Sequence, residues 1–220
     1  MRILAITNIY PSAAFPGRGV FVQEQVKGLC SIGLNMRVLF VDRQAEGPMA
    51  YYRLRSKVNS AVAGFEPDVI HVMYGGVMAD QIVRRHHVRP LVVTFHGSDL
   101  LGENLSGWAR KVISQYGVYC SRRAAKSAEG VIVVARHLAR ALNGATTAEK
   151  VRVIPCGIDL ERFKPMDPLL CKRRLGWSAQ SFHVLFASSN GDPVKRPGLA
   201  REAVAQINSP DRPSERCAAL

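Results

Sequence analysis

Short apolar runs alternate with polar, glycine- and proline-bearing stretches along most of the chain. Ile3-Leu4-Ala5-Ile6 starts almost at the terminus and ends at polar Thr7-Asn8, a length that suits a buried strand. A loop of about ten residues follows, carrying Pro11, Pro16, Gly17 and Gly19, before Val20 to Ser31, where Val22, Val26, Leu29 and Cys30 share one helical face. The same rhythm then repeats. Met36 to Val41 reads as a strand, Tyr51 to Phe65 as a helix, and Asp68 to Met73 as a strand entered from Pro67. Gly75-Gly76 leads into a helix running to about His87, Pro90 breaks it, and Leu91 to Phe95 is the next strand. A long helix is expected over 107–128, with Trp108, Val112, Tyr116, Tyr119 and Cys120 on one side. Strand Gly130 to Val134, helix Arg136 to Leu142 and strand Val151 to Ile154 complete the pattern.

Strands and helices alternating in this way predict an α/β, Rossmann-like domain: a doubly wound, mostly parallel sheet that binds ligands at the carboxyl ends of its strands. After Ile154 the pattern changes. Pro155 to Asp159 and Phe163-Lys164-Pro165 read as a loop leaving the domain, Leu169 to Leu175 as a short basic helix, Val184 to Ala187 as an apolar strand, and Pro197 to Ile207 as a helix. The expected division is a domain over 1–164, a linker and short helix over 165–181, one β-α unit over 182–207, and a disordered tail over 208–220.

Composition narrows the class. The five cysteines, Cys30, Cys120, Cys156, Cys171 and Cys217, are scattered without a Cys-x-x-Cys pair, which suits buried thiols of a reducing compartment. With no signal-peptide pattern at the start and no apolar run of membrane-spanning length, a cytoplasmic location is expected. Thirty Lys and Arg against 17 Asp and Glu give a net charge of +13. That excess favours anionic partners, either phosphorylated ligands or the inner face of an anionic membrane. No aromatic platform or nucleic-acid motif accompanies the basic clusters, so nucleic acid is not expected as a partner.

Candidate chemistry gathers at strand ends. Gly17-Arg18-Gly19 is followed by Val22 where a dinucleotide fingerprint needs a small residue, and no P-loop occurs. His96 ends an apolar strand with Gly97 behind it and Ser98 and Asp99 near enough to orient its ring; both a structural and a site role remain open on these grounds. His71, in mid-strand, reads as a core group. Lys195 and Arg196 precede the last helix beside Gly191-Asp192-Pro193, where a cation could meet phosphate. No His, Cys, Asp and Glu cluster has metal-ligand spacing, and no Gly-x-Ser-x-Gly elbow is present.

The succession NIYPSAAFPGRGVFVQEQVKGL, PDVIHV, LVVTFHGSD, EGVIVVA, KVRVIPCGIDLERFKP and VLFASSNGDPVKRPGLA resembles the retaining glycosyltransferases of family 4 over Met1 to Ala205. The resemblance implies a GT-B fold, whose first domain recognises the acceptor and whose second holds a nucleotide-diphosphate sugar. It implies that Gly17 and Gly19 form the glycine loop near donor diphosphate and acceptor, that His96 lies close to the donor sugar, and that Lys195, aided by Arg196, binds the diphosphate. Ser98 and Asp99 complete the expected substrate-binding set. Gly157 and Asp159 fall in the interdomain signature, where Cys156 replaces the usual asparagine. No cofactor or metal is implied, since lysine and arginine supply positive charge to the leaving diphosphate. The family's Glu, seven residues, Glu motif does not occur here, and Asn190 stands near the position of the usual arginine. Two functions follow as expectations: sugar transfer in glycan, lipid-linked sugar or cell-surface polysaccharide synthesis, or a truncated, inactive acceptor-binding protein.

Overall fold

The computed structural model describes residues 1–47, 49–85, 88–103, 106–187, 195–208 and 217–219. They fall into two units, Met1–Asp159 and Leu160–Leu220. The first is built on six strands: β1 Arg2–Thr7, β2 Asn35–Phe40, β3 Val69–Val72, β4 Leu91–Phe95, β5 Gly130–Val133 and β6 Val151–Val153. They pair in the order β2-β1-β3-β4-β5-β6, every pair parallel. This is the doubly wound sheet that the alternation predicts.

Between the strands run α1 Val20–Ser31, the single turns α2 Arg43–Glu46 and α3 Met49–Tyr52, α4 Leu54–Phe65, α5 Val77–Val83, the turn α6 Ser98–Leu101, α7 Trp108–Ser127 and α8 Arg136–Ala141. Only the β1-to-β2 crossover moves the chain toward the β2 edge; the later crossovers move it the other way. Right-handed connections therefore put α1 on one face of the sheet and the other helices on the opposite face. The core divides accordingly. Val22 and Val26 of α1 pack with Ala5 and Met73, while Leu4, Ile6, Ile70, Val72, Val93 and Phe95 pack with Leu54, Val58, Ile82, Ala124 and Leu138.

Local chemistry sets the breaks. Asp42 caps α2 by accepting N–H bonds from Gln44 and Ala45. Glu66 takes a left-handed conformation at the end of α4, φ 46°, ahead of Pro67. The long helix departs from expectation in its facing. Trp108, Val112, Tyr116 and Tyr119, grouped on its apolar side, lie on the surface, and the residues it buries are Cys120, Ser121, Ala124 and Ala125. Length explains this: twenty residues of helix span about 30 Å, whereas a five-residue strand covers only about 17 Å. The first half of α7 overruns the sheet.

In the second unit, α9 Pro168–Leu175 starts at an Asp167 cap and ends at left-handed Gly176, φ 70°. The strand expected over 184–187 lies instead at β7 Phe182–Val184, with Leu185 exposed. Its partner is the three-residue β8 Cys217–Ala219, placed in the tail that composition assigns to disorder. Among the described residues β7 pairs with that strand alone. α10 Pro197–Ile207 has the expected bounds. The boundary falls at Asp159 rather than Lys164. His86-His87, Asn190 to Pro193 and the rest of the tail lie outside the described residues. Nor are the thiols uniformly buried: Cys120 is, but Cys30 and Cys156 are exposed.

Candidate functional site

Three loops converge at the carboxyl edge of the first sheet, after β1, β3 and β4, and a buried carboxylate holds two of them together. Asp99 accepts N–H bonds from His96 at 3.0 Å, Gly97 at 2.8 Å and, across to the β3 loop, Gly75 at 3.0 Å. Ser121 of α7 braces the same junction, donating to the Asp99 carbonyl at 2.6 Å and accepting from the Gly76 N–H at 2.7 Å. Glycine is required at Gly75, where a Cβ would come within 2.6 Å of Ser121 Oγ and 2.8 Å of the Phe95 ring. This corrects the expectation for Asp99 and Ser98. Asp99 fixes backbone rather than the imidazole, because its oxygens are taken by amides, and Ser98 Oγ pairs with the Tyr74 hydroxyl at 2.8 Å.

His96 projects from this clasp. Its ring lies 4.7 Å from that of Phe21 in the first turn of α1 and stacks at 6.0 Å on Tyr74. Nδ1 is 3.9 Å from Cys156 Sγ, while buried Nε2 makes no hydrogen bond of good geometry. Burial pushes its pKa below the ordinary histidine value, against the opposing pull of the Asp99 charge and the Met73 carbonyl, so the ring is neutral at pH 7. Gly19 sets the position of Phe21. It stands at the N-terminus of α1 in the left-handed region, φ 72°, and a Cβ on it would lie 2.6 Å from the Ile9 carbonyl carbon and 2.7 Å from Tyr10 N. No side chain caps α1, so its first N–H groups remain available to a polar ligand. Gly17 is exposed, with open space around it.

Behind the clasp lies a cleft of about 260 Å³ lined by Asn8, Arg43, Tyr51, Tyr74, Ser98, Glu103 and one side of α7 from Ile113 to Val118. Asn8 is 8% exposed and its Oδ1 has no hydrogen-bond partner. The Arg43 guanidinium sits 5.4 Å over the Tyr51 ring. Burial raises the pKa of both Tyr51 and Tyr74, which keeps their hydroxyls protonated as donors.

The first unit thus brings together His96, Ser98, Asp99 and Gly19. Lys195 and Arg196 belong to the second unit, exposed at the start of α10, with Arg196 at φ 51° as its N-cap residue. His71 is the core group its mid-strand place predicts, with Nε2 2.7 Å from Thr94 Oγ1. Among the described residues no three His, Cys, Asp or Glu side chains gather to hold a metal. Reading the sequence missed Phe21, Tyr74, Asn8, Arg43, Tyr51 and the approach of Cys156. Tyr74 had a usable signal, an aromatic followed by two glycines at the end of a strand.

The fold recurs in solved structures. A sucrose-phosphate synthase from Thermosynechococcus elongatus is 14% identical, with a TM-score of 0.67 over 100% of this chain and 70% of its own. HepE of Anabaena, crystallised with UDP-glucose, is 19% identical, with a TM-score of 0.57 over 100% of this chain and 59% of its own. At these identities the likeness shows the fold, which is that of a GT-B N-terminal, Rossmann-like domain. In sequence, TuaC of Bacillus subtilis (strain 168), named as a teichuronic acid biosynthesis glycosyltransferase, is 28% identical over 214 residues. The alignment covers 74% of this chain, which spans about half, 51%, of that relative's length. The family model described as Glycosyltransferase Family 4 matches residues 17–162, from the glycine loop to just past the end of the first unit, and so the chain belongs to glycosyltransferase family 4.

Proposed function

We propose that this chain carries the acceptor-side half of a retaining glycosyltransferase, which moves a sugar from a nucleotide-diphosphate sugar to an acceptor in glycan, lipid-linked sugar or cell-surface polysaccharide synthesis. The observation that supports this most is the clasp at Asp99. It spends a buried carboxylate on holding one histidine beside a helix N-terminus that no side chain caps. That expense suits a group whose position matters to a reaction. In this reading neutral His96 contacts the donor sugar as positive charge builds on its ring carbon, and an uncharged imidazole can accept a bond there without repelling it. The Gly19 loop and the first N–H groups of α1 face the diphosphate oxygens. Lys195 and Arg196, in the second unit, supply the positive charge that a diphosphate needs, in place of a metal. The UDP-glucose held by the Anabaena relative supports a nucleotide sugar as donor, and such donors suit a cytoplasmic enzyme working at the inner face of a membrane.

Calorimetric titration of the chain with UDP, GDP and ADP and their common sugar conjugates tests the donor. Saturable micromolar binding, worth about −8 kcal/mol, is expected for one nucleotide; silence across the panel overturns the donor assignment. With the preferred conjugate, His96→Ala should lower transfer at least about a hundredfold, a typical loss for one positioned polar group at a reacting centre. Its circular dichroism and melting should stay unchanged. Full transfer by that variant removes His96 from the chemistry.

A further inference from the structure

The overhanging half of α7 is the most unusual surface of the first unit. Trp108, Val112, Tyr116 and Tyr119 recur at spacings of four, four and three, so they form one stripe along the helix. They are 81%, 59%, 54% and 54% exposed. Isolated exposed apolar residues are ordinary, but a continuous stripe on one helix face is not. The charges on the helix are equally one-sided. Arg110, Lys111, Arg122, Arg123 and Lys126 are basic, and α7 contains no Asp or Glu. Arg123 is drawn inward to Asp80, at 3.2 Å, and the other four are exposed.

We infer that the Trp108–Lys126 face of α7 docks on an anionic lipid bilayer, lying flat in the headgroup region. Trp and Tyr carry an apolar body with a polar edge, the shape that partitions to the boundary between headgroups and acyl chains, while flanking lysines and arginines meet lipid phosphates. A second copy of this face fits the pattern poorly, because Lys111, Arg122 and Lys126, which flank the stripe with no acid on the helix, would meet the same cations on the copy without compensation. A bilayer of anionic lipid supplies that compensation over any area. No described helix is long and apolar enough to cross a membrane, so the contact is peripheral.

The inference rests on the proposed transferase only for its purpose. The same helix segment that overhangs the sheet, Ile113 to Val118, walls the cleft behind the clasp. A lipid-borne acceptor lying in the bilayer would therefore meet the cleft at its docking edge.

The test uses the 220-residue chain with Trp177→Phe, which leaves Trp108 as its sole tryptophan. Vesicles of equimolar phosphatidylcholine and phosphatidylglycerol should shift Trp108 fluorescence to the blue and carry the protein into the pellet. Both effects should fade as salt rises and be absent with pure phosphatidylcholine. Lys111→Glu with Arg122→Glu should weaken sedimentation by at least roughly twenty-five-fold, about fivefold for each lost cation. Trp108→Ser with Val112→Ser should weaken it while melting is unchanged, since both side chains are exposed. Unchanged binding in both variants, or a blue shift that appears without vesicles as protein concentration rises, overturns the inference, the latter by giving the stripe to a second copy. No nucleotide or acceptor enters these measurements, so their failure is separable from failure of the transferase reading.

Discussion

Gly17 and Gly19 stand two residues apart in one loop, yet only one of them is held to glycine by its surroundings. At Gly19 a side chain would meet the Ile9 and Tyr10 backbone in a left-handed conformation. Gly19→Ala is therefore expected to cost more than about 2 kcal/mol in urea unfolding, from φ strain plus displaced backbone. Gly17→Ala should lie within about 0.5 kcal/mol of the parent. Equal costs would show that the loop moves as a whole. His71 gives a pH signature. Burial pushes its pKa down to about 4, with His96 adding repulsion. Between that value and the unfolded 6.5, the unfolded chain binds the proton and the folded chain does not, so stability rises with pH through that window. The contribution is complete above about 6.5 and is lost on acidification toward pH 4, by roughly 3 kcal/mol. Urea melts of His71→Met, which cannot titrate there, should show a correspondingly flatter acid limb. A strand-end histidine was legible in the sequence. The use of Asp99 was not, because local spacing suggests a ring partner and the amides that take its oxygens include one from Gly75, twenty-four positions away.

Elements were more legible than their facing. β4 and α10 have the expected bounds because Pro90, Pro197 and continuous apolar runs mark them. The turn α6 escaped notice, since four residues are too few for periodicity to register. The stripe on α7 shows the deeper limit: a 3.6-residue period reveals that a helix has an apolar side, not whether a sheet is long enough to cover it. What fixes α7 is its second half. Asp80 of α5, with a side chain 7% exposed, meets Arg123 of α7 at 3.2 Å and Arg84 at 3.7 Å. Asp80→Ala should cost about 1–2 kcal/mol, less than for a fully buried pair because both arginines reach solvent. In a double-mutant cycle with Arg123→Met the two losses should not add. Strict additivity would mean that the pair contributes nothing to joining the helices.

Across the whole molecule the two units differ in how they are held. Of the buried hydrophobic residues among those described, all but Val204 lie in Met1–Asp159. The alternation of strands and helices was legible there because each strand is sandwiched and reads as an unbroken apolar run. It was less legible after Asp159, where the apolar run Val184 to Ala187 is exposed and burial does not fix its register. Sheet order has a further consequence, for biosynthesis. β1 lies between β2 and β3, so the strand nearest the N-terminus needs two neighbours that are made after it. Some sixty residues separate Thr7 from Val69, which at ordinary elongation rates takes between about 3 and 12 s. During that interval one edge of a strand of buried apolar residues is unpaired on the ribosome. The nascent chain is then most open to aggregation and to capture by chaperones, and codons that slow elongation between β2 and β3 should lower the yield of soluble protein more than equally slow codons after β4.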